Sequence, residues 1–478
     1  MKKVTRLIAI LLLSAMMVSC GGTAVQLPDF INETKFTTDF NGYVIDLYFD
    51  GESDDDDENH LFGWESNSIE EGAMLTRMDN IEKDYNCTII PHYDLSRENA
   101  RLKMQSGSFD GDLVYYSGFG GMQDFAKAKM LYPLTDFPDQ IDLSDSEKYG
   151  GANVLEGAMI DGKPYAVQPL YWPGFQALDC FFVVYNSNEF AANGLTDLHE
   201  FYENETWTWD TYEKELLEAA ANLNLETSEG IMPTLYTRDS NLFSCLMYSN
   251  NTQFITKTSS GTNLVNPYPT EFATALETGV SWLNTYGKTI DLSAGFWELD
   301  DFLEGNALTT LATSTAVTTG GVAYNDKGSF IHKIMPFPCG PNAKYGQWAQ
   351  YMQRIEGFGI PVTCPEPEIA AQVLSLLFDP LEELGDLRDY YSGFTFNTEL
   401  DAEIYFNAGQ FVRYDYTFDG GSDLGRTVSN YFGGVLGSTR SAQEAMEAYR
   451  DAMITFIENH MLENFDYMYE NYYYQFED

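Results

Sequence analysis

Basic residues are scarce in this sequence. Its 478 residues include 26 Lys and Arg against 73 Asp and Glu, which gives a formal net charge of −47. Nucleic-acid binding depends on cationic side chains that neutralise phosphates, so this function class is excluded. An anionic membrane surface would also repel the chain, and membrane attachment must therefore come from something other than a basic patch.

Side chains that bind metals or act as nucleophiles are also few. Beyond Cys20 there are five cysteines at long spacings without a C-x-x-C pair, which favours buried free thiols and leaves one disulfide open. The five histidines are scattered and form no H-x-x-x-H pair, so a transition-metal site is not expected. G-x-S-x-G is absent, and Trp282 occupies a position that a phosphate-binding loop needs as glycine. The sequence thus predicts no cofactor and no metal.

One acidic segment, DGESDDDDENH, has part of the spacing of a calcium loop. Asp54, Asp56, Glu58 and Glu65 fall at ligand offsets, but Asn59 stands where the loop needs a glycine for its sharp turn. We therefore interpret the segment as a solvated acidic loop. Carboxylates are so numerous along the chain that no pair is singled out for glycosidase chemistry.

Only the N-terminus carries a long apolar run. MKKVTRLIAILLLSAMMVSCGG has three cations, then an apolar stretch too short to span a bilayer, which is the layout of a secretory signal over residues 1–19. The end of this stretch resembles a bacterial lipobox, which implies lipidation of Cys20 by acyl chains such as palmitate. Residues 20–40 then form a tether at the extracellular face of the cell membrane. The alternative is an ordinary secretory signal with an incidental cysteine.

The remaining chain alternates strand and helix patterns. GYVIDLYF (42–49), CTIIPHY and GDLVYY predict strands, separated by helices over 69–85 and about 97–105, which is the order of a parallel sheet with crossover helices. A second such run begins at FFVVYN (181–186). Further helices are predicted over 211–223 and 270–285, in EIAAQVLSLLFDP, and around SAQEAMEAYRDAMITFIENHM, while IMPFPCGP (334–341) is predicted to be extended. The length indicates two or more cores.

A series of short motifs resembles the extracellular solute-binding proteins of ABC importers, in the large family that mostly takes sugars. The motifs, in chain order, are GDLVYYSGFGGMQDFAKAKMLYPL, DGKPYAVQPL, FFVVYN, NGL with TWTWDTYEKEL, DDFLEGNALTTLAT, IMPFPCGP and GFGIPVTCPEPEIAAQVLSLLFDP. Each is weak alone, but together they follow the family's order over about three quarters of the mature chain.

The resemblance implies an α/β, two-lobed periplasmic-binding-protein-like fold of type II, with a ligand cleft between the lobes and hinge crossovers. We expect an N-terminal lobe formed by 41–170 and 335–380, and a C-terminal lobe formed by 171–334 and 381–478. The implied function is capture of a carbohydrate, and more specifically an oligosaccharide, by hinge closure and its delivery to the permease. Such a protein is a monomer without catalytic residues.

Ligand-binding candidates follow from these motifs, because sugars need aromatic rings for stacking and polar groups for their hydroxyls. The candidates are Trp64, Glu65, Tyr116, Gly118, Phe119, Trp172, Phe175, Asp179, Asp239 and Asn241. For Trp172 the alternative is packing at the hinge, and for Trp64 it is anchoring of a long loop. Trp348 and Tyr351 are weaker candidates, and Trp207 and Trp209 are expected to be structural.

One departure from the family pattern concerns the stretch LATSTAVTTGG. The family often has a sugar-stacking tryptophan here, whereas this chain offers the hydroxyls of Thr313, Ser314 and Thr315. A non-sugar solute such as a polyol, a peptide or a cationic compound is therefore the alternative ligand within the binding class. A surface hydrolase acting on glycans is the alternative from another function class.

Overall fold

The fold is known from a computed structural model of the chain. It describes residues 36–50, 68–116, 121–151, 154–155, 159–160, 163–175, 180–227, 230–253, 255–257, 263–266, 269–289, 300–318, 331–351, 357–409, 411–413 and 465–467, with positions 435, 444, 447 and 450. The predicted signal, Cys20, the acidic loop and most of the predicted C-terminal helix lie outside these residues. Within the described ranges, the helices are all too short or too polar to cross a membrane.

The first third of the chain builds most of one α/β lobe. Its elements are β1 (Tyr43–Asp50), α1 (Ile69–Tyr85), β2 (Cys87–Leu95), α2 (Arg97–Ser106), β3 (Leu113–Tyr115), α3 (Gly121–Lys127), α4 (Ser146–Tyr149), β4 (Met159–Ile160) and β5 (Lys163–Pro164). β1 pairs in parallel with both β2 and β3. The predicted parallel sheet is therefore confirmed.

Helix α1 shows how local signals set these boundaries. The Ser68 hydroxyl accepts a hydrogen bond from the Glu71 N–H at 3.1 Å and caps the N-terminus, while Asn86, at φ 54°, ends the helix in the left-handed conformation. Met74, Met78 and Ile81 recur at helical spacing and are buried against the sheet. The prediction of a helix over 69–85 is confirmed to the residue.

The second α/β lobe is built mainly from the middle of the chain. Its elements are β6 (Phe181–Asn186), α5 (Ser187–Asn193), α6 (Leu198–Glu203), α7 (Trp209–Thr211), a π-helix (Tyr212–Glu218), α8 (Ala219–Leu223), β7 (Glu226–Thr227), β8 (Gly230–Ile231), β9 (Leu235–Thr237), α9 (Asp239–Ser249), β10 (Ile255–Lys257), β11 (Asn263–Val265), α10 (Thr270–Tyr286), β12 (Gly287–Thr289), α11 (Asp300–Leu303), β13 (Thr309–Thr313), α12 (Ser314–Thr318) and β14 (His332–Pro336). The helices predicted over 211–223 and 270–285 are confirmed, the first with its π segment.

The remaining elements begin in the second lobe, cross to the first lobe and then return to the second. They are β15 (Gln350–Tyr351), β16 (Phe358–Gly359), α13 (Pro367–Leu377), α14 (Leu387–Phe394), α15 (Glu399–Ala408), β17 (Val412–Arg413) and β18 (Phe465–Tyr467). The first sheet has the order β16-β3-β1-β2, and the second has the order β12-β9-β13-β6-β14. β6 is antiparallel to both of its neighbours, and all six of its residues are buried.

Strand β14 is an edge strand whose outer hydrogen-bonding groups are covered by side chains. The Asp401 carboxyl group accepts from the Ile334 N–H at 2.9 Å, and the Asn397 amide donates to the His332 carbonyl at 2.8 Å. His199 Nε2 lies 3.2 Å from both the Ile334 carbonyl and Asp401. Buried backbone groups need such partners, so α6 and α15 can cover this edge without leaving it unsatisfied.

The chain crosses between the two cores three times. Trp172 belongs to the first core and Cys180 to the second, Tyr351 to the second and Phe358 to the first, while Leu387 packs against both. The prediction that the N-terminal lobe resumes at residue 335 is wrong by about twenty residues. The segment IMPFPCGP is extended as predicted, but it pairs with β6 and stays with the second core.

Candidate ligand site between the lobes

The chain segments that cross between the two lobes lie next to the carboxyl ends of strands in both sheets. Phe181 begins β6 opposite Thr313, the last residue of β13, and Pro336 ends β14 opposite Phe182. On the first sheet, β16 begins with Phe358 opposite Tyr115, the last residue of β3. The carboxyl edges of the two sheets therefore both border the hinge. Ligands of open α/β sheets bind at such edges.

In the first lobe, the ring of Trp172 packs against aromatic residues near the crossings. Its ring lies 5.5 Å from Phe358, 5.4 Å from Phe378 and 6.0 Å from Phe175, between ring centroids. Its Nε1 donates to the Leu377 carbonyl at 2.9 Å, and the side chain is fully buried. In this conformation Trp172 has no exposed face for stacking, and its position is that of the hinge-packing alternative. Phe175 is only partly buried.

The carboxyl edge of the second sheet is lined by hydroxyl groups. Thr313 ends β13, and its Oγ1 accepts from the Ala316 N–H at 3.2 Å, which caps α12. The Ser314 N–H donates to the Cys180 carbonyl at 2.8 Å and holds α12 against the start of β6. The Ser314 hydroxyl is buried and has no hydrogen-bond partner. A polar ligand atom is one group that could satisfy it.

Three aromatic rings pack together at the same edge. Phe181 and Tyr351 stack with centroids 5.5 Å apart, and Tyr248 lies 5.1 Å from Tyr351. All three residues are buried. Tyr351 was a weak candidate at the level of sequence, and Tyr248 was not expected here, because it comes from α9, far away along the chain. Arg238, which directly follows β9 in the motif TRDSNLF, is a further residue of this edge.

The other sequence candidates fall into two groups. Trp64, Glu65, Gly118, Phe119 and Asp179 lie outside the described residues. Asp239 begins helix α9, directly after the carboxyl end of β9, and Asn241 is buried in the first turn of the same helix. Both therefore lie in the helix that begins at the carboxyl edge of the second sheet. Their ligand contacts stay a prediction.

Tyr116 lies beneath the first-lobe edge. Its hydroxyl donates to the Leu95 carbonyl at 3.3 Å, and its ring meets Phe125 edge-on at 5.6 Å. The side chain is fully buried. In this conformation Tyr116 is therefore a core residue that directly follows β3, and ligand contact would need a local rearrangement.

The remaining tryptophans of the motifs are core residues. Trp207 Nε1 donates to the Pro336 carbonyl at 2.8 Å, and Trp209 Nε1 donates to the Ser249 hydroxyl at 3.0 Å. Their expected structural role is confirmed. Trp348 is also buried and donates to the Phe337 carbonyl at 2.8 Å, which gives it no exposed face toward either edge.

The five described cysteines are buried thiols, which is the arrangement that the sequence favoured. Burial raises the pKa of Cys87 and of Cys339 to about 11 each. Burial and the neighbouring Asp112 carboxylate raise the pKa of the Cys364 thiol as well. Thiols with raised pKa values stay protonated at neutral pH, so these three side chains are unsuited to nucleophilic catalysis. Among the described residues, no group of His, Cys, Asp and Glu is arranged to hold a metal ion.

Neither a protein-family model nor a curated protein matches the chain. Similar solved structures, in contrast, cover most of the chain. A sugar transporter from Rhizobium etli in an open conformation has a TM-score of 0.63 at 13% identity, over 86% of this chain and 99% of the other.

Two further solved structures agree over nearly the same range. A cyclic alpha-maltosyl-1,6-maltose binding protein from Arthrobacter globiformis has a TM-score of 0.60 at 14% identity, over 87% of this chain and 100% of the other. An ABC substrate-binding protein from Listeria monocytogenes in complex with cycloalternan has a TM-score of 0.58 at 14% identity, with the same coverage. The chain therefore has the two-lobed α/β fold of the ABC-importer solute-binding proteins, as its motifs predicted.

Proposed function

We propose that this protein is the extracellular substrate-binding component of an ABC transporter and that it captures a carbohydrate. The observation that carries the proposal is the likeness over 86–87% of the chain to solved structures that are named for sugar transport or hold an oligosaccharide. The crossings at the carboxyl edges of both sheets support a ligand position between the lobes. An oligosaccharide is the ligand class that we favour.

The function would rest on hinge motion rather than on chemistry. A ligand that contacts both carboxyl edges binds more tightly when the lobes are closed and shifts the conformational equilibrium toward that state. The permease subunits of the transporter would then recognise the closed form and receive the solute. In this role the protein acts as a monomer and carries no catalytic residues.

The hydroxyl-lined edge of the second lobe favours a ligand rich in polar groups. Ser314 provides a buried hydroxyl without a partner, and no aromatic residue occurs in LATSTAVTTGG. This observation also supports a second candidate, a non-sugar polyol. A solute-binding protein from Agrobacterium vitis with bound D-mannitol has a TM-score of 0.54 over 87% of this chain, at 14% identity.

We place the protein at the outer face of the cell membrane through a lipid on Cys20. The support is the order of cations, short apolar run and cysteine at the N-terminus. Metabolic labelling with an alkyne analogue of palmitate tests this proposal: the natural chain should be labelled and Cys20→Ser should not. Equal labelling of both chains would contradict it.

Thermal unfolding against a panel of oligosaccharides, monosaccharides and polyols tests the ligand class. The full chain with Cys20→Ser avoids lipid attachment. A ligand at a hundred times its dissociation constant should stabilise the fold by about 2.7 kcal/mol. Stabilisation by oligosaccharides alone supports the main proposal, and stabilisation by mannitol alone supports the second candidate. No response to any sugar or polyol would overturn both.

Variants and recovery of the ligand complete this test. Trp64→Ala should weaken binding of the responding ligand, whereas Leu75→Ala, at an exposed position of α1, should not. Chromatography of the ligand after incubation separates binding from hydrolysis. Recovery of cleaved sugar would replace the transport proposal with the alternative of a surface hydrolase.

A further inference from the structure

One hydrogen bond in this structure connects the two lobes directly beside the hinge. The Tyr390 hydroxyl, on α14, donates to Glu70 Oε1 at 2.5 Å. Glu70 lies in the first turn of α1, whose residues Ala73 and Met74 belong to the first core. Tyr390 packs against both cores. The bond therefore joins the first lobe to the segment through which the chain crosses for the third time.

Helix α14 itself is fixed mainly to the second lobe. The ring of Tyr391, its fifth residue, is buried in the second core, 5.2 Å from Tyr405 and 5.9 Å from Phe396 between ring centroids. α14 packs on α15, which in turn packs on β14. Burial raises the pKa of Tyr391 well above its usual range, so its hydroxyl stays protonated. When the lobes rotate, α14 should therefore move with the second lobe and α1 with the first.

A second hydrogen bond ties the same helix to the first crossing. The Tyr391 hydroxyl accepts from the Gly174 N–H, two residues after Trp172. Adjacent residues of a helix point about 100° apart, which lets Tyr390 reach α1 while Tyr391 reaches the crossing. The two tyrosines together bind α14 to the first lobe, the first crossing and the second core.

We propose that the Glu70–Tyr390 hydrogen bond is an interlobe latch that sets the open-to-closed equilibrium of the ligand-free protein. Only 8% of Glu70 is exposed, so its carboxyl group relies on protein partners in this conformation. A relative rotation of the lobes that separates α1 from α14 would break the bond and require hydration of Glu70. Hydrogen bonds to charged groups are stronger than neutral ones, so the latch favours the present orientation.

A distance measurement without any ligand tests the latch. We would place spin labels at Gln105→Cys on the first lobe and Glu277→Cys on the second, in the full chain with Cys20→Ser. Both positions are exposed, whereas the five described native thiols are buried. Pulsed electron paramagnetic resonance then gives the distribution of interlobe distances.

Tyr390→Phe should shift this distribution toward a second interlobe distance, with a change of about tenfold in the equilibrium constant, which corresponds to about 1.4 kcal/mol. Glu70→Gln keeps an acceptor without the charge and should give a smaller shift in the same direction. The matched control is Tyr149→Phe. The Tyr149 hydroxyl donates to Ser375 at 3.1 Å within the first lobe, so its loss should lower stability without moving the distribution.

The latch is overturned if Tyr390→Phe lowers the melting temperature as Tyr149→Phe does and leaves the distance distribution of the parent chain unchanged. Since no ligand is used, this result would leave the proposed function standing. Failure of every sugar and polyol in the binding panel would, conversely, leave the latch untouched.

Discussion

Replacement of Trp172 separates its two possible roles, hinge packing and ligand stacking. The ring is fully buried and contacts Phe175, Phe358 and Phe378, which come from all three crossing regions, and its N–H satisfies the Leu377 carbonyl. Substitution of a buried tryptophan by alanine costs about 3–5 kcal/mol through lost burial and the cavity that remains. We therefore expect Trp172→Ala to lower the free energy of unfolding by that amount.

Much of the stability of the protein would be lost, because whole domains are stable by only about 5–15 kcal/mol. Urea unfolding followed by far-ultraviolet circular dichroism measures the change without depending on tryptophan fluorescence. Trp172→Phe is the matched variant, since it keeps an aromatic ring but removes the N–H. It should cost less, about 1–3 kcal/mol, because the Leu377 carbonyl loses its indole donor.

A ligand-stacking platform would behave differently. Stacking surfaces are exposed in the free protein, and their removal changes affinity more than stability. If Trp172→Ala unfolds within about 1 kcal/mol of the parent chain but no longer binds its sugar, the hinge-packing argument is refuted. Loss of stability in Trp172→Ala with retained binding in Trp172→Phe would support it.

Three further predictions follow from buried polar and thiol groups. His332 is buried, and burial lowers its pKa from 6.5 to about 4. As the pH decreases from 6.5 to 4, the unfolded chain therefore protonates this histidine before the folded chain does. The free energy of unfolding should fall over this range by up to about 3 kcal/mol from this residue. Urea unfolding of His332→Leu at both pH values should lack this part of the loss, and equal losses in both chains would contradict the assignment. Ser314→Ala removes a buried hydroxyl without a partner, so it should stabilise the ligand-free protein by about 1 kcal/mol and weaken ligand binding. A variant that is less stable than the parent chain would show that the hydroxyl has a partner. The five buried thiols should react with a thiol reagent only after denaturant is added, and rapid labelling of the native protein would contradict their burial.

The elements of the fold could largely be predicted from local signals. The helix Ile69–Tyr85 has an N-cap, a left-handed C-cap and apolar residues at helical spacing, and all three signals lie within the single segment 68–86. FFVVYN is an almost continuous apolar run, which suits β6, because this strand pairs with a neighbour on each side and all six of its residues are buried. The order of the strands along the chain then indicated a parallel sheet, and the family resemblance implied two lobes.

The place where a segment packs could not be predicted in the same way. IMPFPCGP is extended in either lobe, so its proline-rich pattern did not reveal that β14 pairs with β6 and remains in the second core. The choice depends on partners distant in sequence, such as Asp401 and Asn397, which satisfy the outer edge of the strand. Likewise, Tyr248 reaches Tyr351 only through the packing of α9.

The sequence by itself determined the charge, the signal-like pattern at the N-terminus, the α/β elements and the family-like motifs, because these depend on composition and on neighbouring residues. Only the tertiary structure decided which aromatic residues are available at the carboxyl edges. Trp172 and Tyr116 lie in motifs that suit a ligand site, yet both rings are fully buried in this conformation. The burial of a side chain depends on contacts with residues from the whole chain, so it cannot be predicted from a local motif.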